Sequence, residues 1–202
     1  MATYLCVFPV SDSHIDFIVE NPDTLYAYVD GQSPTITSAP PAKPTLWQRL
    51  TGNTPEPKAT SEIPANWPDS EATMIGPEIN HRNVDLFHLI LNGTTDFVTG
   101  SGSIFQAWLE PQSDRTQAAI DVTGDNEHFA FHSDQLPALL ELTSSVDVER
   151  ATTCFIQWLR ANGDDYTPSE DECDEMVSEF VQFGDSIRAA ISKSQGLIWI
   201  SS

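Results

Sequence analysis

The chain has 202 residues, 40% of them apolar, and 9 Lys and Arg against 30 Asp and Glu give a formal charge of −21. That apolar share is enough for a packed core, and the length fits one domain, residues 1–202, with room for an insertion. So negative a surface repels phosphate backbones and anionic lipid heads, which excludes nucleic-acid and membrane-surface binding by a basic patch; the nine cations lie singly between Lys43 and Lys193.

Residues Thr3–Val10 are rich in β-formers and predict a strand. Ser11 offers an N-cap for a helix carrying Ile15, Ile18 and Val19. Asn21-Pro22 restarts a second short helix through Leu25, Tyr28 and Val29, since proline suits a first turn where its missing N–H is harmless. Residues 34–69 then hold eight of the fourteen prolines, from Pro34 to Pro68. Each proline removes a backbone donor and pushes its predecessor toward extended geometry, so the segment reads as an irregular insertion. The island Thr45–Leu50 inside it, centred on Trp47, is either a staple onto the core or a partner-binding peptide.

A helix is expected over Asn83–Asn92, with Val84, Phe87, His88 and Leu91 on one face and Asn92-Gly93 as its stop. Short strands are expected at Ile104–Leu109, Ala118–Val122 and Phe129–Phe131. Ser133 reads as the cap of a helix with Leu136, Leu139 and Leu140 inward. Asp147 reads as the cap of another with Val148, Ala151, Phe155, Trp158 and Leu159 inward. The last helix is the clearest: Cys173, Met176, Val177, Phe180, Gly184, Ile187 and Ile191 form one stripe, with Asp171, Glu175, Glu179, Gln182 and Ser186 opposite. Gln195-Gly196 ends it, and four consecutive apolar residues, Leu197–Ile200, predict an interior strand. The sum is an α+β domain with helices packed on a small mixed sheet.

Motifs for chemistry are sparse. Gly100-Ser101-Gly102-Ser103 is no dinucleotide fingerprint, and no glycine turn is followed by a phosphate-binding lysine. Cys6, Cys154 and Cys173 lack the spacing of a disulfide framework or zinc knuckle and read as small hydrophobes. His128 and His132 in HFAFH alternate with aromatics; on a strand that puts both imidazoles on one face about 13 Å apart, too far for one metal. His88 lies on an apolar face and reads as a core residue, or as a catalytic base in a pocket with Asp85, one turn away, and His81. No metal and no cofactor is expected. The start of the chain has no positive n-region followed by a long apolar run, and no segment reaches the ~18 apolar residues of a membrane helix, which predicts a cytosolic protein.

Charge remains. Nine acidic residues and no basic one occur from Ala161 to Ile187: Asp164, Asp165, Glu170, Asp171, Glu172, Asp174, Glu175, Glu179 and Asp185. Such a run is a solvated face or a docking surface for a basic protein, since complementary charge speeds association and sets register.

The stretch Phe87-His88-Leu89-Ile90-Leu91-Asn92-Gly93, preceded by Arg82, resembles a motif of the YfbM-like bacterial proteins of unknown function, which carry a Lys, a Trp and then His-aromatic-Leu-Leu-Thr-Gly. Ser11-Asp12, Asn21-Pro22-Asp23-x-Leu25, the Leu46–Gly52 island and the closing Phe180–Ile200 are also similar. Val84 stands where that family has its tryptophan and His81 where it has an aspartate. The resemblance implies one α+β domain, no established reaction, and kinship with immunity-type proteins of bacterial toxin systems. The leading expectation is therefore an immunity protein whose acidic segment, with Trp47, occludes a toxin's cationic active site. An enzyme using His88 in a cleft beside the Gly93–Gly102 loop and a DNA mimic are the alternatives.

Overall fold

The computed structural model describes residues 4–36, 62–76, 78–80, 83–93, 119–123, 128–163 and 166–201. Strand β1 is Tyr4–Val10. Ser11 then accepts a hydrogen bond from the His14 backbone N–H at 3.4 Å and opens α1, Asp12–Glu20. Asn21 ends that helix, its Nδ2 donating to the Phe17 carbonyl at 2.9 Å. Pro22 starts a single 3-10 turn, Pro22–Thr24, that runs into α2, Leu25–Val29. Then come β2 (Ile79–Asn80), which periodicity did not reveal, and α3 (Asn83–Asn92), on the expected boundaries. They are followed by β3 (Ile120–Asp121), β4 (Phe129–Phe131), α4 (Leu136–Ser144), α5 (Val148–Ala161), α6 (Glu170–Ser192) and β5 (Gly196–Ser201). The expected strand Ile104–Leu109, the Trp47 island and the loop over residues 94–102 lie outside the described residues.

The strands form one sheet in the order β2-β1-β5-β4-β3. The α+β class is as expected, but all four described pairings are antiparallel rather than mixed. The interior position expected of Leu197–Ile200 is met: β5 pairs with β1 on one side and β4 on the other. Its apolar run reflects cover on both faces, not a parallel neighbour. Side chains alternate with the pleat. Val7, Phe129, Phe131, Leu197 and Trp199 face the larger core, built with α3, α4, α5 and α6. Phe8, Val10, Ala130, Ile198 and Ile200 face a second core under α1 and α2. The sheet is thus the middle of three layers.

Three local readings are corrected. Ser133 does not cap α4, which starts at Leu136 with Gln135 before it; the Ser133 N–H and Oγ instead donate to Asp12. Val148 is exposed at the start of α5, because the first turn of that helix overhangs the core. The buried stripe of α6 is rotated toward Phe183 and Ala190, and Ser186, expected outside, is buried. Its Oγ donates to the Gln182 carbonyl at 2.9 Å, which satisfies the hydroxyl locally, while Gly76 packs against it so closely that a Cβ there would collide with that oxygen.

Candidate functional site

Helix α6 presents the acidic segment. Ser169 caps it in a capping box: its Oγ accepts from the Glu172 N–H at 3.3 Å while Glu172 Oε2 accepts from the Ser169 N–H at 2.7 Å and its hydroxyl at 2.8 Å. These hydrogen bonds hold the Glu172 carboxyl below its ordinary range, so this acid serves the helix end. Asp185 is engaged by Arg188 one turn on. Glu170, Asp171, Asp174 and Glu175 are exposed, and the helical repeat sets them on the side away from Phe180 and Ile187. None of these four is in a salt bridge among the described residues. Glu179 is half-buried at the flank of the ridge. Asp164 and Asp165 lie outside the described residues, as do Trp47 and His81.

Of the residues expected to form a pocket around α3, the one with a described side chain is His88. His88 is fully buried, beside Phe87 and Leu91 in the same helix. The backbone of Asp85 lies in that helix, but its side chain, like those of Asn83 and Val84, is outside the described residues. Arg150 Nη2 donates to the Leu91 carbonyl at 3.2 Å, so α5 supplies a donor at the end of α3, while the Leu89 carbonyl, at which the Cys154 thiol also points, already accepts from the Gly93 N–H at 2.8 Å. Burial pushes the Cys154 thiol up, and burial with the neighbouring carboxylates does the same to Cys173. A thiol so shifted is less often a thiolate near neutrality, which argues against either as a nucleophile.

Among the described residues, a further group of polar contacts lies between α1, β4 and the segment 62–76, most of it not legible in the sequence. Asp12 accepts from the Ser133 N–H at 2.8 Å and its hydroxyl at 2.6 Å. His132 Nε2 donates to Asp16 at 2.9 Å, and His128 meets the Tyr26 hydroxyl at 3.4 Å. The expected alternation holds, since His128 and His132 both turn toward the α1–α2 side while Phe129 and Phe131 turn to the other core. His14 is buried between the Tyr28 and Trp67 rings, with centroids 5.3 and 5.6 Å away, and its Nε2 contacts the Ala65 carbonyl at 3.2 Å. Burial lowers its pKa from the ordinary histidine value. Pro-Ala-Asn-Trp-Pro at 64–68 is the one local signal that could have found this contact: Asn66 has a φ of 62°, which turns the chain so that Trp67 faces inward.

Among the described residues no three His, Cys, Asp or Glu side chains could share a metal ion, and no helix is long and apolar enough to cross a membrane. No family model matches the chain, and no curated protein does. Among solved structures, the YfbM protein of unknown function from Escherichia coli is similar over 99% of both chains, with a TM-score of 0.46 and 13% identity.

Proposed function

We propose that this chain is a cytosolic binding protein of one domain that neutralises a basic partner, a bacterial toxin or effector, by laying the carboxylates of α6 over its cationic active site. The carrying observation is that Glu170, Asp171, Asp174 and Glu175 stand exposed on one side of a rigid helix of 23 residues whose opposite side is locked in the core. A fixed row of like charge needs no reordering to meet a partner, so it raises the encounter rate and sets register. His88 itself is fully buried, which counts against its use as the base of the enzymatic alternative.

The test begins with the partner captured from the native cell and continues with kinetics. A triple Asp171→Lys, Glu175→Lys, Glu179→Lys variant should associate at least tenfold more slowly at low salt, with a flatter salt dependence. An association rate and salt slope equal to those of the unmodified protein would overturn the reading. Competition by duplex DNA for the same partner surface would move it to the DNA-mimic alternative.

A further inference from the structure

Residues 62–76 form a strap without helix or strand that crosses the α1–α2 layer as far as Ala72 and ends with Ile75 on the larger core and Gly76 against Ser186 of α6, and a series of contacts holds it down. The Trp67 indole N–H donates to the Gln32 carbonyl at 2.8 Å. The ring itself sits edge-on to Phe17 and Tyr28, at 5.3 and 5.2 Å. The Ala72 N–H reaches the Val29 carbonyl at 2.7 Å and the Ile75 N–H reaches the Val7 carbonyl at 2.8 Å. Gly31, at a φ of +63°, lies so close under Ser70 that a Cβ would strike the strap's backbone. The last contact is His14, whose ring lies between Tyr28 of α2 and Trp67 of the strap.

We propose that His14 is an acid-released latch: protonation of its ring frees the strap, uncovering the aromatic surface of Phe17 and Tyr28 while the sheet and α3–α6 stay folded. The Nε2 contact with a carbonyl requires the neutral ring to carry its proton on Nε2. A second proton must then go on Nδ1 of a buried ring that lies between the Tyr28 and Trp67 rings. Desolvation there disfavours the cation, and the Ala65 carbonyl offsets only part of it.

Among the described residues, no titratable group on the elements around His14 supplies a counter-charge to its ring. Tyr28 from α2 is neutral, with burial pushing its pKa up. On α1, Asp12 is taken by Ser133 and Asp16 by His132. Glu62, Asp69 and Glu71 of the strap are exposed. From β4, His128 meets Tyr26 and His132 meets Asp16, neither of them a strap residue. The sign follows. The open form binds the proton near the ordinary value of about 6.5 and the closed form only at lower pH, so closure is favoured above 6.5 and weakens as pH falls below it.

Hydrogen exchange of the strap amides, corrected for the intrinsic rate at each pH, reads this directly. Between pH 7.5 and 5.5 the protection of Ala72 and Ile75 should drop by up to about tenfold, while that of α6 amides holds. His14→Gln, which keeps a donor for Ala65 and cannot titrate, should flatten the profile, and His132→Gln should leave it as in the unmodified chain. The His14 ring proton, followed by NMR in the unmodified chain, should titrate below 6.5 with the midpoint of strap opening, a readout that survives if a variant does not fold. A flat profile, an unchanged profile in His14→Gln, a lost one in His132→Gln, or separate midpoints would each overturn the latch.

Discussion

Against the α3–α6 side of the sheet, the Phe129 and Phe131 rings pack on Trp199, and Trp199 meets Phe183 of α6 at 4.9 Å, itself 5.6 Å from Phe87 of α3. On the α1–α2 side the same strands present Ala130 and Ile198, flanked by two histidines, and the cover is tied down by hydrogen bonds. One side is held by dispersion and exclusion of water, which hardly respond to pH. The other combines a smaller apolar core with directional hydrogen bonds, and it holds His14, whose pKa burial lowers. The difference suggests a division of labour. The dry side fixes α6 and keeps its exposed carboxylates in rigid register, and the polar side is where the molecule can loosen without losing its fold.

Breaking the dry side should have the largest effect. Phe183 is fully buried and touches Phe87, Phe180 and Trp199. Phe183→Ala deletes that ring where rigid neighbours cannot close the gap, so about 3–5 kcal/mol of stability should vanish from a urea titration. The matching cut on the polar side is Asp12→Ala. It removes both acceptors of the Ser133 N–H and hydroxyl, which join α1 to the turn before α4. Charge-assisted bonds of that kind predict a loss of roughly 2–3 kcal/mol, with Asp12→Asn intermediate because its amide oxygen still accepts. If Asp12→Ala costs as much as Phe183→Ala, the contrast between the two sides is wrong.

What the sequence disclosed followed the range of the interaction responsible. Ser11 and Asp147 cap their helices because a cap joins residues three apart. The bounds of α3 and the interior place of β5 come from runs of apolar residues that any register would bury. Ser133 misled because its partner, Asp12, is 121 residues away, and no local pattern separates a cap from a long-range tie. Ser186 misled because the helical period puts it beside the acids, while a glycine from a distant segment covers it. Within 34–69 the prolines correctly excluded regular structure over 62–69 but concealed that Trp67 docks there, since irregular chain can be as firmly packed as a helix. The acidic ridge was legible as composition. That Glu172 belongs to the helix end and Asp185 to Arg188 was not, because both facts depend on rotamers.

The smallest predicted effect separates those roles within α6. Ser169→Ala should lower stability by about 1 kcal/mol at neutral pH, as loss of an N-cap hydroxyl does. Glu172→Gln tests the other half of the box. Hydrogen bonding holds the folded Glu172 carboxyl below its unfolded value of 4.5, so its contribution is present above pH 4.5 and is lost as pH falls through the folded value. The gap in urea midpoint between Glu172→Gln and the unmodified chain should therefore be open at pH 7 and shrink in acid below 4.5. The same variant should slow partner association less than Asp171→Gln or Glu175→Gln, because the Glu172 charge is already engaged by Ser169 while the other two face water. An equal slowing from all three would mean that the partner senses the total charge of the helix rather than its exposed row.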